Sequence, residues 1–435
     1  MRHARFATIR SCSAAFTKSS GWQIGTGERR PTRRGAAAYD GGGVLSYVTD
    51  VEGRWDKLVS FAEGNPHVWL DDTALRLADG VTFVFGGDAI DRGPHGRRIV
   101  ATLLAARRAY GERVVLIAGN RDLNKLRLVR DLVTPPAGAP PGASRGALLR
   151  WIFEATMGAP RAFEHRATEL AAEGAAADDD AVVDSFLADL APGGALREYL
   201  AACQLGYRAG ATLILHGGVT GENFLVDADG ERAPDVDAWL AALARFYAAE
   251  LAAFTAGRAP AGLIAYQAPL PGTHLHQASV VYARPTDELG NPHLPPAHVI
   301  AGLRANGIAR VVAGHTPSGD CPAVLCDDGF ELVLGDNSYG RIERGSQLAF
   351  SDARTWVRAT TRLDDGSQLA VGYDRARGAP GPLGLRDRET GALVKAPLPD
   401  GRYLMFRALP ARAVEQRAEP SADVLARPLV VASAS

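Results

Sequence analysis

The stretch Val81 to Pro94, VTFVFGGDAIDRGP, restricts the possible folds of this chain more than any other. Its apolar start reads as a buried strand, and it empties into Gly86, Gly87, Asp88, Asp91, Arg92 and Gly93. A strand that ends in glycines sets its next side chains at the rim of a sheet, where open α/β folds bind ligands. Two carboxylates alone would be a cation site. With the Arg92 guanidinium beside Asp88 and Asp91, cations and a phosphate can be held together.

Other segments repeat the pattern. Val44 to Thr49 is a short apolar run entering Asp50, Val51, Glu52, Gly53 and Arg54, and Val114 to Ala118 delivers Gly119, Asn120, Arg121 and Asp122. Trp55 to Phe61 opens as a helix, and Arg97 to Tyr110 spaces its apolar residues as an amphipathic one. Strand, acidic turn, helix, strand is βαβ logic, which predicts parallel strands with their loops on one edge. Farther on, Thr212 to Leu215 ends at His216, Gly217 and Gly218, and Val311 to Ala313 ends at Gly314, His315, Thr316 and Pro317. Neighbouring strands lie roughly 4.8 Å apart, so these polar strand ends can converge on one pocket. Asp50 and Glu52 are two residues apart, which in extended chain puts both carboxylates on one side. Carboxylate, amide oxygen and imidazole suit Mn, Fe or Zn rather than a thiolate-loving metal. A pair of such ions roughly 3.5 to 4 Å apart can clamp the attacking and leaving oxygens of phosphoryl transfer.

The ordered set GDAIDRG, GNRD, HGG and GHTP resembles the calcineurin-like metallophosphoesterases, in particular the phosphoprotein-phosphatase branch with its GDxxDRG, GNHE, HGG and GH signatures. The match runs from about Ser46 to Phe350. The resemblance implies an α/β fold of two packed mixed β-sheets flanked by helices, with the metals at one edge. It implies hydrolysis of a phosphate ester or phosphoanhydride at a dinuclear site of divalent ions (Mn, Fe or Zn), with a metal-bound hydroxide as nucleophile. Asp50 and Asp88 would serve the first ion, Asp88 would bridge to the second, and Asn120, His216 and His315 would complete the second. Arg92 would bind a phosphate oxygen, and Asp91 would support the histidine that serves the family as general acid.

The chain departs from this pattern twice. Where the family has Asp-x-His-Gly it has Asp50-Val51-Glu52-Gly53, which makes Glu52 a carboxylate candidate for an imidazole ligand's place. Where the family has GNHE it has Gly119-Asn120-Arg121-Asp122, and an arginine cannot give up its proton at neutral pH. Two divalent ions are partly neutralised by Asp50, Asp88 and Glu52, and Arg121 would restore one positive charge by pairing with Asp91 or Glu52 while facing the phosphate. Asp91, Arg92 and Arg121 are therefore the candidate catalytic residues. Without the usual acid, phosphoanhydrides and aryl phosphates should suffer less than phosphoserine esters, for which such an acid is worth about 10²- to 10⁴-fold. The alternative is a phosphatase-like binding protein that keeps metal or phosphate contacts without turnover.

A formal net charge of -1 gives no general pull on nucleic acid, so the expected partner is a phosphorylated small molecule or protein. Four cysteines (Cys12, Cys203, Cys321, Cys326) are too scattered for a disulfide scaffold and favour a reducing compartment. No uncharged apolar run approaches the ~20 residues of a membrane-spanning helix, which predicts a soluble intracellular protein. Residues 1–40 form an Arg-rich, acid-poor leader, readable as a mitochondrial or plastid transit peptide or, alternatively, as a disordered basic tail or the result of a misplaced start codon. Residues 41–374 would form the phosphoesterase-like domain, with a helical insertion at about 134–205 in which residues 171–180 are a solvated face or flexible loop. Residues 375–435 read as a partly β extension, with one strand at Tyr403 to Ala408 and a disordered tail.

His95 reads as a solvated turn residue, and His274 and His276 have ligand-like spacing but no third partner nearby. Cys321 and Cys326 read as buried thiols. Asp336, Asn337 and Tyr339 follow another apolar run and read as pocket wall.

Overall fold

The protein is described here by a computed structural model over residues 43–433; the basic leader and Cys12 lie outside the described residues. The strands, in chain order, begin with β1 (Val44–Val48), a hairpin of β2 (Val68–Asp71) and β3 (Ala74–Leu77), then β4 (Val81–Phe85) and β5 (Val114–Leu116). After a helical region come β6 (Gly206–Ala209) and β7 (Thr212–Leu215), then β8 (Arg310–Ala313), β9 (Ala323–Asp327), β10 (Phe330–Leu334), β11 (Gln347–Phe350), β12 (Arg354–Arg362) and β13 (Gln368–Ala376). The chain closes with β14 (Leu385–Asp387), β15 (Leu393–Pro397), β16 (Arg402–Ala408), β17 (Val414–Pro420) and β18 (Leu429–Val431).

Two mixed sheets carry the fold. The first has the order β13-β12-β11-β1-β4-β5 and the second β6-β7-β8-β10-β9. β1, β4 and β5 run parallel, as do β7, β8 and β10, while the flanking strands pair antiparallel. Alternate side chains show why these strands read as unbroken apolar runs. Tyr47, Val84 and Val115 of the first sheet meet Ile214, Val312 and Val333 of the second in a shared buried layer. Their neighbours Val48, Phe83, Leu116, Leu215, Val311 and Leu334 face outward into a second buried layer under the helices. A strand buried on both faces has no polar side to alternate with. The two packed mixed sheets flanked by helices are thus the observed architecture.

The helices at Trp55–Ala62 and Gly96–Tyr110 fall where apolar periodicity places them, and a third, Val236–Thr255, is capped by Asp235, which accepts from the Ala238 N–H. Trp239 and Tyr247 on that helix are buried in the core. Between β5 and β6 the chain is helical, including Arg145–Trp151, Ala162–Ala172, Asp179–Leu190 and Ala195–Ala202. The acidic run ending at Asp180 turns out to be a helix start: Asp178 accepts from the Ala181 N–H at 3.0 Å, and Asp179 pairs with Arg150. Carboxylates at a helix N-terminus complement the helix dipole, which composition alone did not reveal. Beyond β13 the chain forms a third, antiparallel sheet, β17-β16-β15-β14-β18, rather than the single strand expected there. Among the described residues no helix is long and apolar enough to cross a membrane.

Candidate metal and anion site

The parallel ladder does not stop at the strand ends. Asp50 N donates to Gly87 O at 2.9 Å, Glu52 N to Asp88 O at 2.9 Å, Gly53 N to Ala89 O at 2.7 Å and Arg92 N to Glu52 O at 2.7 Å. The loops after β1 and β4 are thereby zipped together. They approach so closely that a Cβ on Gly53 would lie 2.4 Å from the Gly93 carbonyl oxygen, and one on Gly93 equally close to that of Gly53. The Asp122 carboxylate ties in the loop after β5 by accepting from the N–H groups of Asp88, Ala89 and Gly119 at 2.8 to 3.1 Å. Burial, with the Asp88 charge adding, pushes Asp122 up to about 7 against those donors.

Strain collects at the same place. Asp50, Glu52, Asp88, Asp91, His315 and Tyr339 all have positive φ, six of the ten non-glycine residues that do so among those described. Each such residue costs of order 1–3 kcal/mol and persists where surrounding structure over-determines it, typically at a functional site.

From this scaffold Asp88, His216 and His315, all buried, bring one ligand atom each within 4.8 Å of one another. The Nδ1 of His216 sits 2.7 Å from the Gly86 carbonyl oxygen, which can only accept, so Nδ1 carries the proton. Its Nε2 then faces Asp88 Oδ1 and Asn120 Oδ1, both at 3.3 Å. A neutral imidazole would aim a lone pair at two other acceptors, an arrangement that requires either a second proton or a cation between them. Burial would lower the His216 pKa, but the Asp88 carboxylate raises it to about 10, which favours the proton wherever no cation lies between the two. His315 supplies the complement. Its Nε2 is buried without a hydrogen-bond partner, and burial with the nearby Arg284 charge holds the ring neutral, well below the usual histidine range. Asp50 Oδ2 accepts from the Thr49 hydroxyl at 2.6 Å and from His315 N at 3.1 Å. Its pKa is raised by burial, then by the neighbouring Asp336 carboxylate. Glycine makes room: a Cβ on Gly119 would meet Asp88 Oδ1 at 2.1 Å, and one on Gly314 would meet Asp50 Oδ2 at 2.5 Å.

The arginine side is organised differently. Glu52, expected as a metal donor, has both carboxylate oxygens in ion pairs, Oε1 with Arg121 Nε at 2.7 Å and Oε2 with Arg92 Nη1 at 2.8 Å. Arg121 also donates from Nη2 to the Tyr339 hydroxyl at 2.7 Å, while its Nη1 lies 3.9 Å from Asp91 and has no hydrogen-bond acceptor. Asp91 is held instead by the fully buried Lys125 ammonium at 2.6 Å. Arg92 stacks on the Tyr339 ring, its Cζ 3.7 Å from the centroid, and its Nη2 meets Glu343 at 2.8 Å.

Asp336 follows β10 and is buried, its Oδ1 taken by Ser338, and Asn337 donates to Asp320 O. His274 is exposed, and His276 Nδ1 bonds the Ala268 carbonyl oxygen at 2.8 Å, so neither joins the donor group. His95 opens the helix at Gly96, and Cys321 is buried while Cys326 is half-buried. The sequence reading missed Lys57, Lys125, Arg54 and Glu343. Lys57 is fully buried and donates to Asp50 O at 2.6 Å. Its signal was present, since a lysine on the same helical face as Phe61 has no apolar reason to be there.

Among solved structures the chain is similar to a cold-active protein-tyrosine phosphatase of a psychrophile, Shewanella sp., at 15% identity and a TM-score of 0.42, covering 76% of this chain and 80% of that one. It is also similar to a protein serine/threonine phosphatase from Saccharomyces cerevisiae at 11% identity and a TM-score of 0.34, over 78% and 81% of the two chains. A metallophosphoesterase from Sphaerobacter thermophilus is similar at 10% identity and a TM-score of 0.33, over 77% and 88%. No protein-family model matches the chain, and no curated protein matches it.

Proposed function

We propose that this protein is a metal-dependent phosphoesterase acting on a phosphate ester or phosphoanhydride. The observation that carries the reading is the group Asp88, His216 and His315: three buried donors from separate strand ends, with acceptors facing acceptors and one imidazole nitrogen left without a partner. Such a donor set fits a borderline divalent cation. Asp88, Asn120, His216 and His315 would hold one ion, and Asp50 with Asp88 a second. Bound there, divalent ions would supply Lewis acidity toward a phosphoryl oxygen and lower the pKa of water.

The chain's own groups do the rest. Arg92 and Arg121 present guanidinium edges whose geometry matches phosphate oxygens, and the unpartnered Nη1 of Arg121 is a donor awaiting an acceptor. Glu52, gripped from both sides, fixes the two guanidinium planes relative to each other and serves as their anchor rather than as a metal donor. Asp91 and Lys125 buttress Arg121 from below, since Lys125 also donates to the Arg121 carbonyl oxygen at 3.0 Å. No group in the place of the family's histidine can hand a proton to a leaving oxygen, so the reading favours substrates that leave as stable anions.

The deciding experiment is metal analysis of the purified protein together with hydrolysis of p-nitrophenyl phosphate with and without added Mn. Metal-dependent turnover is expected. Stoichiometric metal binding without turnover on aryl phosphates or anhydrides would make the protein a binder instead.

A further inference from the structure

Arg92 is shared between two carboxylates that differ in kind. The inner one, Glu52, is 3% exposed and is locked on its far side by Arg121. The outer one, Glu343, is 11% exposed and bridges Arg92 Nη2 to Arg54, itself 32% exposed. Glu343 therefore sits where the guanidinium pair Arg54 and Arg92 opens toward solvent. Its remaining contact is the Tyr339 N–H, which donates to Oε1 at 3.1 Å.

The loop carrying Glu343 does not depend on it. Ile342 N donates to Asp320 Oδ1 at 2.8 Å, Gly345 N to Ser60 Oγ at 2.8 Å and Asn337 Nδ2 to Asp320 O at 3.1 Å. Arg341 pairs outward with Asp364 at 2.6 Å, and Arg344 with Glu63 at 3.1 Å. These bonds pin both flanks of the loop to the body of the protein. A swing of the Glu343 side chain alone would release one edge of each arginine, with Arg92 still held by Glu52 at 2.8 Å and Arg54 by the exposed Asp56 at 3.1 Å.

We propose that Arg54 and Arg92 form an anion subsite for the phosphoryl group of the substrate, and that Glu343 is the intramolecular anion that fills it until a phosphate displaces it. This rests on the phosphoesterase reading for its substrate but not for its binding step. The exchange is chemically sensible. A phosphate brings up to two charges and three acceptor oxygens to a fork that Glu343 meets with one charge, and the displaced carboxylate moves to a solvent-facing position. The device discriminates by charge: a monoanionic diester must compete with Glu343 on equal terms, whereas a terminal phosphate has the advantage. Arg54 thereby becomes a specificity-determining residue.

Inorganic phosphate binding by calorimetry tests this in the full-length protein, with metal and again in the presence of a chelator. E343Q should bind phosphate at least about tenfold more tightly than wild type, E343D should fall between, and R54A should weaken binding in the E343Q background. In a turnover assay the same substitution should lower KM for a terminal phosphate. As a check that needs no variant, phosphate added to wild type should speed hydrogen exchange at the Tyr339 amide, because its acceptor leaves. Unchanged or weaker phosphate binding by E343Q, or slower exchange at Tyr339 with phosphate, overturns the proposal. Tighter phosphate binding without turnover would keep this inference while refuting the phosphoesterase reading; turnover with unchanged phosphate affinity would do the reverse.

Discussion

At one end of the site, Asp88, Asn120, His216 and His315 crowd acceptors together and leave His315 Nε2 without any partner. At the other, Glu52, Arg92, Arg121, Tyr339 and Glu343 satisfy one another almost completely. Both ends are built from buried or half-buried charge on loops that touch. Their difference is that the first gathers acceptors around an unpartnered imidazole nitrogen, whereas the second pairs its charges with one another and leaves only Arg121 Nη1 without an acceptor. A strained donor cluster with one imidazole nitrogen left unpartnered is what the proposed cation binding would use. A network of fixed charges that pair with one another keeps its own geometry and, on the proposed reading, yields only at its outer member.

The sharpest way to break this comparison is to remove the shared carboxylate of the donor end. Asp88→Asn should cut metal-dependent turnover on the order of 10³-fold or more and release metal, as read by steady-state rates and metal content. It should scarcely change folding, because the amide keeps the hydrogen bond from Arg121 N. If Asp88→Asn retains full metal and rate, the donor end is not a metal site. The arginine end should respond in the opposite sense. Glu52→Ala leaves two guanidinium groups without their common anion and is expected to cost about 3 kcal/mol in denaturant-monitored stability. Arg121→Ala should cost a similar amount, while the double variant should cost less than the sum of the two. Additive losses would show that the two residues do not act as a pair.

The first end was legible in the sequence because it lies on backbone features that sequence displays. Apolar runs ending in glycine and then an acid, amide or imidazole announce a strand rim, and Gly53, Gly93, Gly119 and Gly314 prove to be needed for the loops to meet. The second end was only half legible. That Arg121 would seek a carboxylate follows from charge, but which carboxylate, and that Glu52 would be held on both sides, depends on side-chain directions that spacing does not encode. Glu343 arrives from a loop 251 positions beyond Arg92, and nothing local marks it. The third sheet was obscured for a different reason. Its interior holds polar groups, with Lys395 and Gln416 fully buried and Gln416 Nε2 donating to Asp320 at 2.8 Å, so β15 and β17 lack the apolar alternation that betrays a strand.

The smallest expected effect is also the most selective, and it asks whether the two ends are chemically coupled. Arg121 Nη1 lies 3.9 Å from Asp91, whose carboxylate is already engaged by Lys125. A histidine at this position could be oriented by Asp91, but the single substitution Arg121→His would leave Glu52 with Arg92 as its one remaining arginine partner. Pairing it with Glu52→His removes that excess negative charge and places an imidazole at each position. The double variant should therefore shift preference toward substrates with poor leaving groups, raising the ratio of phosphoserine-peptide to p-nitrophenyl phosphate turnover by up to about 10²-fold even as the lost guanidinium lowers both rates. The quantity to follow is the ratio of the two rates, because a stability loss lowers both together and leaves the ratio alone. An identical ratio in wild type, the Arg121→His variant and the double variant would mean that leaving-group protonation never limited this site, and that Arg121 is retained for its charge on the phosphate.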